Sequence, residues 1–362
     1  MCRCTWASMN TIRRQLPATA VSCLLNQINQ EHFKEENPEG SNQLKSMEGN
    51  TTVYQPFGFF IMGFQGLKDT NYYFMLLGIL YFGTLLGNFF LMMVIWQSEA
   101  LHTPKYMVVF SLSVIDVSHS TALVPKCIDQ FLFNSQFVPY NLCLTQMFFI
   151  HSFYTIESYS LVILAFERLV SICFPLRSST IITNTRMVGI IAFCWVLAFT
   201  LLATMVALIT RLYFCKPIPV VVSYFCDHGP VFKMACSDNT VNWRVTSVFL
   251  VVVIFVPLAF ILSSYVCIVI AISRINSAEG RWKAVRTCTA HLILVAMFFM
   301  PILVIYTIAW INVTIEVNTR ILNTSLSMVL PALLNPIIYS LKTEEVMEQI
   351  KKLLRKHVIK LK

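Results

Sequence analysis

The chain has 362 residues, of which 56% are hydrophobic and only 12% are charged, and its formal net charge is +9. A soluble globular protein must keep its surface wetted and does not carry this balance, so the composition excludes an ordinary soluble enzyme or binding domain. The basic residues lie between apolar runs instead of on one polar face, which argues against a nucleic-acid-binding module. Lipid is therefore the expected solvent for much of the chain.

Polar residues of mixed charge fill positions 1–46 and show no helical periodicity, which predicts a disordered N-terminal extension. An apolar run at 18–28 is too short, and too interrupted by polar residues, for a cleavable signal peptide. We therefore expect the first membrane helix to direct insertion. We also hypothesise that the functional chain starts at Met47, with 47–71 as an extracellular segment.

Seven later stretches are apolar and long enough to cross a bilayer, because a helix of about 20 residues spans roughly 30 Å of hydrocarbon. Their predicted bounds are 72–96, 105–127, 144–170, 187–210, 242–273, 286–311 and 317–341. The sequence thus predicts an all-α membrane protein with a bundle of seven transmembrane helices that covers 72–341. An odd number of spans places the two termini on opposite sides of the membrane.

Basic residues mark one set of the connecting loops. Those after the third and the fifth helix are Arg168, Arg177, Arg186, Arg274, Arg281, Lys283 and Arg286. The opposite loops have fewer basic residues, and acidic residues balance them. Because Lys and Arg in short loops stay on the cytoplasmic side, we expect the N-terminus outside and the C-terminus inside.

The tail at 342–362 repeats apolar residues at helical spacing, with lysines and arginines between them. This pattern predicts a short amphipathic cytoplasmic helix that lies at the inner leaflet and is attracted to anionic membrane lipids. A soluble helix that docks on a partner is the alternative. The short link to the seventh helix favours the membrane surface.

Two carboxylates lie inside predicted membrane helices, Asp116 in the second and Glu157 in the third. Ionisable groups are costly at this depth and indicate function by default. Two negative charges that face one interior space repel strongly. The pair therefore either holds a small cation, with sodium as the specific hypothesis, or shares a proton as a hydrogen-bonded polar pair. Both interpretations stay open, and the sequence indicates no other cofactor.

Other polar or helix-breaking residues lie at similar depth, namely Asn88, Asn335 and Pro336, where the backbone must find partners among neighbours or water. They predict a polar core with two arrangements of similar energy, which is what a switch needs. At the inner end of the third helix, Glu167 and Arg168 form an adjacent acid and base.

Catalytic motifs are absent from the sequence, which has no Ser-His-Asp set, Gly-rich phosphate loop or metalloprotease His-Glu motif. Cys288 and His291 are three residues apart on a helix, but two ligands are too few for a metal site. His102, His119 and His151 are predicted to be isolated. The sequence therefore gives no support to an enzyme.

The ordered set of motifs resembles the rhodopsin-like receptors. The matching residues are Gly87-Asn88, Leu101-His102-Thr103-Pro104-Lys105-Tyr106, Leu112-Ser113, Asp116, Trp195, Pro257, Tyr265 and Asn335-Pro336-Ile337-Ile338-Tyr339. Two further stretches are similar to signatures of the odorant (olfactory) receptors within that class. They are Ala165-Phe166-Glu167-Arg168-Leu169-Val170-Ser171-Ile172-Cys173-Phe174-Pro175-Leu176 after the third helix, and Lys283-Ala284, Thr287-Cys288 and His291-Leu292 entering the sixth. The resemblance covers residues 47 to about 350.

Two departures limit what the resemblance implies. Leu169 replaces the aromatic of the family's Asp-Arg-Tyr, while an acid and an arginine still precede it. The stretch 298–300 replaces the family's Phe-Tyr-Gly and is followed by Pro301, which predicts a kink in the sixth helix. G-protein coupling is still expected. The family's switch geometry for the sixth helix applies only in part to this chain, because of the kink at Pro301.

Four cysteines lie on the predicted outer side, where the compartment is oxidising. Spacing alone permits three pairings. The family resemblance implies disulfides between Cys143 and Cys226 and between Cys215 and Cys236. A sequon begins at Asn50 in the predicted outer tail, where odorant receptors commonly carry a glycan, so glycosylation is expected there.

Ligand pockets in helical bundles form between helices. Residues at helical spacing on the outer half of the third helix would form one wall: Ile150, His151, Tyr154, Thr155 and Ser158. The rhodopsin-like pocket implies further residues on helices five to seven: Phe249, Val253, Ile302, Tyr306, Ser325 and Met328. Amine receptors of this class have an acidic residue at the position of Ile150. An amine ligand is therefore disfavoured, and an uncharged or weakly polar odorant is expected.

The resemblance implies an odorant receptor of the plasma membrane, expected in the cilia of olfactory neurons. A small odorant would activate a stimulatory G protein of the olfactory type and raise cyclic AMP when helix six moves outward. The residues expected to couple and switch are Glu167, Arg168, Tyr265, Asn335, Pro336 and Tyr339. A peptide or lipid receptor of the same class is one alternative. A transporter or channel is another, disfavoured because the chain shows no internal repeats.

Overall fold

The computed structural model describes residues 53–64, 70–310 and 316–360. Eight helices within these ranges have 17 or more residues, and we number them in chain order. They are α1 Thr70–Gln97, α2 Pro104–Phe131, α3 Tyr140–Cys173, α4 Asn184–Thr210, α5 Thr240–Ser273, α6 Ala278–Trp310, α7 Val317–Lys342 and α8 Glu344–Lys360. Short helices lie in the connections at Glu99–Leu101, Ser178–Ile181 and His228–Lys233. The predicted disordered extension at 1–46 and the sequon at Asn50 fall outside the described residues.

The seven predicted spans correspond to α1 to α7, and α8 is the predicted amphipathic helix. The largest difference in bounds is at the start of α6, which begins at Ala278 instead of 286. Its additional turns carry charged side chains such as Arg281 and Lys283. Hydropathy marks where a helix enters lipid, whereas backbone hydrogen bonds continue the helix beyond that point.

The third helix differs in composition from the other six. Within the described ranges, six helices are long and apolar enough to cross a membrane by length and composition, and α3 is not among them. It has 34 residues, and most of its side chains from 150 to 165 are buried in the bundle. A helix that meets protein on most sides needs little apolar surface for lipid, so α3 accommodates Glu157, Ser158 and Ser160.

The chain forms two compact units. Among the described residues, the bundle unit takes those within Met75–Val124, Phe149–Ala203 and Ser247–Lys362, and the loop unit takes those within Met1–Phe74, Pro125–Phe148 and Thr204–Thr246. The core of the bundle unit takes buried apolar side chains from every one of the eight long helices, from Leu91 on α1 to Val346 on α8. Burial of these side chains brings together the polar groups described below.

A small sheet organises the described part of the loop unit. Strand β1 (Gly58–Ile61) pairs antiparallel with β2 (Phe137–Pro139) and parallel with β3 (Val220–Val221), in the order β2-β1-β3. A Cβ added to Gly58 would collide with the backbone oxygen of Val138, so this close pairing requires glycine. The strands have two to four residues, too few for an alternating pattern, and the sequence did not predict them.

Two disulfides fix the connection between α4 and α5. Cys143 is bonded to Cys226 and Cys215 to Cys236, with Cα–Cα distances of 5.3 and 5.5 Å. These are the pairs that the family resemblance implied. The first disulfide joins the start of α3 to the segment after β3, within the apolar core of the loop unit.

Candidate ligand and switch sites

A layer of buried polar side chains joins α1, α2 and α7. The Nδ2 atom of Asn335 donates to the two carboxylate oxygens of Asp116, at 3.1 and 2.9 Å. The Nδ2 atom of Asn88 donates to the carbonyl oxygens of Thr84 and Ala332, at 3.0 and 2.9 Å. These bonds satisfy polar groups that would otherwise be costly inside a membrane.

The predicted switch residue Pro336 lies inside α7, directly after Asn335. A Cβ added to Gly87 of α1 would come within 3.0 Å of Pro336 Cγ. Small residues let membrane helices approach closely, and here the missing side chain at position 87 makes room for the proline ring. The polar layer therefore lies beside a tight contact between α1 and α7.

Glu157 is buried on α3 beside His119 of α2. Its Oε2 atom lies 3.9 Å from His119 Nδ1. The prediction that His119 is isolated is therefore wrong. His119 follows Asp116 by three residues and so lies on the same face of α2, where it meets the carboxylate of the neighbouring helix. This pairing depends on the packing of two helices, which the sequence pattern alone does not reveal.

A small cation in this layer would need several oxygen ligands. Asp116 and Glu157 supply carboxylate oxygens, and Asn88 Oδ1 is a buried oxygen without a hydrogen-bond partner among the described atoms. Within the described ranges, no group of three or more His, Cys, Asp or Glu side chains is arranged to hold a metal ion. These oxygen donors suit a weakly bound alkali ion better than a transition metal.

The predicted ligand residues Ile150, His151, Tyr154 and Thr155 lie along α3 in the bundle unit. Ile150 and Thr155 are buried, and the other two are half-buried. The hydroxyl of Thr155 donates to the carbonyl oxygen of His151 at 2.8 Å. Tyr154 stacks on Phe298 of α6, with ring centroids 4.6 Å apart and planes at 24°. Phe298 is an addition to the predicted set, from the stretch that departs from the family's Phe-Tyr-Gly.

The predicted ligand residues of α5 adjoin a π-helical turn at Val251–Phe255. The hydroxyl of Ser158 on α3 donates to the carbonyl oxygen of Val253 within this turn, at 2.6 Å. Single π turns inside α-helices are frequent at functional sites. Phe249, one turn earlier, is half-buried against the bundle core. The α3 wall is thus tied to α5 at the π turn.

Four predicted ligand residues belong to α6 and α7, namely Ile302, Tyr306, Ser325 and Met328. Met328 is half-buried. Ile302 is half-buried against the bundle core. Ser325 is buried, and its hydroxyl donates to the carbonyl oxygen of Ile321 in its own helix at 2.8 Å. The side chain of Tyr306 falls outside the described atoms. Two of the contacts described above link the α3 wall to its neighbours, one to the π turn of α5 and one to the ring of Phe298 on α6.

A cavity of about 490 Å³ lies among α2, α3, α6, α7 and α8, and the predicted switch residues Arg168 and Tyr339 line it. Arg168 Nε lies 3.4 Å from Glu167 Oε2, and the two side chains are only 12% and 10% exposed. The hydroxyl of Ser171 donates to Glu167 Oε1 at 3.0 Å. The acid and base are thus held largely inside the bundle, and Arg168 lines the cavity.

A hydrogen-bonded chain crosses three helices next to this cavity. The hydroxyl of Tyr265 on α5 lies 2.8 Å from His291 Nδ1 on α6. The Nε2 atom of His291 lies 3.1 Å from the carbonyl oxygen of Leu161 on α3. A neutral imidazole with its proton on Nε2 satisfies both contacts, donating to Leu161 and accepting from Tyr265. His291 therefore serves as a bridge between helices, a role that its spacing from Cys288 did not predict.

Comparison with known proteins decides the family. The olfactory receptor family model matches residues 77–357. Human olfactory receptor 51F2 is 32% identical over 310 residues, which cover 85% of this chain and 90% of that receptor. Human olfactory receptor 6N1 is 33% identical over 299 residues, covering 82% and 95%, and mouse olfactory receptor 4E2 is 34% identical over 285 residues, covering 77% and 89%.

The chain belongs to the olfactory receptor family. It is accordingly a multi-pass membrane receptor and not an enzyme, in agreement with its apolar helices and its sequence motifs. Family membership supports odorant reception as its function. The Tyr265–His291 contact joins two residues that both fall in motifs of the family resemblance. That shared placement is the one sequence signal that could have indicated the bridge.

Proposed function

We propose that this receptor binds a small, uncharged or weakly polar odorant inside the bundle unit and activates a stimulatory G protein of the olfactory type, which raises cyclic AMP. The observation that carries the proposal is the hydrogen-bonded chain Leu161–His291–Tyr265 beside the cavity lined by Arg168. Two bonds join three helices there, and movement of one helix breaks them. A ligand shifts such an equilibrium only by its preference for one arrangement.

The chemistry of the α3 wall supports a neutral ligand. Ile150 is an apolar, buried residue at the position where amine receptors carry an acid. Tyr154 and Phe298 offer aromatic surface, which contributes contact area without charge. The hydroxyl of Thr155 donates within its own helix and keeps lone pairs that accept a bond from a ligand hydroxyl. One weakly polar group on an otherwise apolar molecule matches this set.

Activation on this proposal is an outward movement of α6. The movement separates His291 from Leu161 and Tyr265, and enlarges the cavity at Arg168. The Tyr265 hydroxyl is then released from His291, and it rearranges with Tyr339 around Arg168. The G protein enters the enlarged cavity from the cytoplasm and contacts that arginine.

The proposed orientation has the N-terminus outside the cell and the C-terminus inside, at the plasma membrane of olfactory cilia. A glycan on Asn50 belongs to the outer side in this orientation. At the inner side, Val346 is buried in the bundle core while Lys351, Lys352 and Arg355 on the same helix α8 are exposed. Exposed basic residues beside a docked apolar face favour contact with anionic lipid headgroups.

We further propose that Asp116 and Glu157 bind sodium, which stabilises the resting arrangement. When bound, the ion offsets the negative charge of buried carboxylates, and Asn335 orients the Asp116 side chain through its two hydrogen bonds. The test replaces each carboxylate by its amide and measures the effect of sodium on the odorant dose response. An unchanged sodium effect in both variants would sink the sodium proposal.

The test of the main proposal measures cyclic AMP in cells that express the receptor with an olfactory-type stimulatory G protein. A broad odorant panel is applied to the receptor and to Arg168→Ala, with surface expression confirmed for both. A ligand-dependent rise that the variant loses supports the proposal. Silence across the panel at normal surface expression counts against odorant detection through this pathway.

A further inference from the structure

Two adjacent glutamates begin α8, and each contacts a different helix. Glu344 Oε1 accepts a hydrogen bond from Arg286 Nη1 of α6 at 2.6 Å. Glu345 Oε2 accepts a hydrogen bond from the hydroxyl of Tyr106 on α2 at 3.3 Å and lies 3.8 Å from Lys105 Nζ. The first turn of α8 therefore connects α6 to α2.

These contacts lie at the mouth of the Arg168 cavity. Lys105, Arg286, Glu344 and Glu345 all line that cavity. The Glu344 side chain is 65% exposed and its partner Arg286 is 42% exposed, whereas Arg168 is only 12% exposed. The ion pair between α6 and α8 is thus near solvent, and Arg168 is deeper in the same cavity.

We propose that Glu344 and Glu345 form a latch that holds the cytoplasmic end of α6 near α2 in the resting receptor, and that the Arg286–Glu344 contact is the part that opens. The inference rests on the proposed function, because it takes outward movement of α6 as the step that admits the G protein. Glu344 is the fixed half: it follows the end of α7 by two residues, and Glu345 holds α8 to α2. Arg286 is the half that moves with α6.

Charge at Glu345 is favoured by its surroundings. Burial by itself raises the pKa of this carboxyl, but Lys105, a backbone hydrogen bond and the Tyr106 hydroxyl together hold the pKa below its usual value. Acidic residues in the first turn also stabilise a helix through its dipole. Glu344 and Glu345 could therefore stabilise α8 without contributing to a latch. The experiment must therefore separate the contact with α6 from the effect on α8 itself.

The first variant is Glu344→Gln, which keeps the shape of the side chain and removes its charge. Because exposed ion pairs are weak, we expect the ratio of open to closed receptor to rise about two- to fivefold. The distance between spin labels placed through unnatural amino acids at Arg281 on α6 and Lys351 on α8 measures this ratio in purified receptor without G protein. Basal cyclic AMP in cells provides the second readout.

The matched control is Glu348→Gln, which makes the same exchange at an exposed glutamate whose ion pair lies within α8 itself, Glu348 Oε1 to Lys352 Nζ at 2.8 Å. A double variant, Arg286→Glu with Glu344→Arg, restores an ion pair of reversed polarity. A latch predicts that the exchange returns the distance distribution toward that of the unmodified receptor. If Glu344 acts only through the helix dipole, arginine at that position destabilises α8 more than glutamine does. The double variant then does not return the distance distribution toward that of the unmodified receptor.

The outcomes separate the latch from the proposed function. Longer distances in Glu344→Gln than in Glu348→Gln, with recovery in the exchanged pair, support the latch. If those distances change while cyclic AMP stays flat, the latch stands and the proposed coupling to a stimulatory G protein fails. Distances in Glu344→Gln that equal those of the control overturn the latch, whatever cyclic AMP does.

Discussion

Replacing His291 by phenylalanine tests the bridge between α3, α5 and α6. The phenyl ring keeps the stacking on Tyr265, whose ring centroid lies 5.8 Å from that of His291 at an interplanar angle of 8°. The substitution removes the bonds to the Tyr265 hydroxyl and to the Leu161 carbonyl, at 2.8 and 3.1 Å. Hydrogen bonds between membrane helices contribute about 0.6 kcal/mol on average and up to about 1.7 kcal/mol, so the two together contribute about 1 to 3 kcal/mol.

The consequence depends on which arrangement of the bundle contains these bonds. If outward movement of α6 breaks both, their loss destabilises only the resting arrangement. The resting-to-active equilibrium then shifts toward the active state by a factor of about 5 to 150. We therefore expect His291→Phe to raise basal cyclic AMP at equal surface expression, and to lower the odorant concentration for half-maximal response.

The assay compares His291→Phe with His102→Phe, the same exchange at an exposed histidine outside the bridge. Tyr265→Phe and the double variant complete a cycle, in which non-additive effects measure the coupling between the two side chains. A fall in both basal and odorant-evoked cyclic AMP at normal surface expression would refute the reasoning. That result would mean that the active arrangement uses the bridge more than the resting one does.

Three further outcomes follow from the structure. Cys143→Ser opens the disulfide to the segment after β3, which typically costs about 2 to 5 kcal/mol, so surface expression should fall sharply in a flow-cytometry assay while transcript levels stay constant. Phe298→Leu removes the stack on Tyr154 and should lower the unfolding temperature in detergent by an amount equivalent to about 0.5 to 1.5 kcal/mol; an unchanged temperature would contradict the stacking contribution. Gly58→Val forces a side chain against the Val138 backbone, so binding of an antibody specific for the folded loop unit should decrease relative to total receptor.

The seven membrane helices were predictable because lipid imposes a composition on every segment that crosses it. The same rule explains why the predicted ends of some helices differ from those in the structure. The start of α6 at Ala278 lies in a charged stretch, which hydropathy excludes although the backbone continues the helix. The strands of the loop unit have at most four residues, and their pairing depends on the close approach at Gly58. No periodic pattern in the sequence therefore predicts them.

Individual site residues were predictable where one chemical group was out of place in its segment. Asp116 and Arg168 are examples, since a charge inside or beside a membrane helix is costly wherever it points. Contacts between side chains on different helices were harder to predict from the sequence. The His119–Glu157 and Arg286–Glu344 pairs join residues on different helices, and only the packing of those helices determines which polar side chains meet.

The polar contacts between the helices share a feature that suits a receptor. Ser158, Asn88 and His291 each bond to a backbone carbonyl of a neighbouring helix, at 2.6, 2.9 and 3.1 Å. Pro336 stands four residues after Ala332, and Pro257 stands four residues after Val253, so neither carbonyl can accept the usual i→i+4 backbone bond. Asn88 and Ser158 therefore supply hydrogen-bond donors to carbonyls from which proline removes that donor. The carbonyl of Leu161 is followed four residues later by Ala165, which has an N–H, and His291 adds a second bond to it. Because each of these bonds is weak, the helices can exchange one set of contacts for another without unfolding, which is the condition for a bundle that responds to a weakly bound odorant.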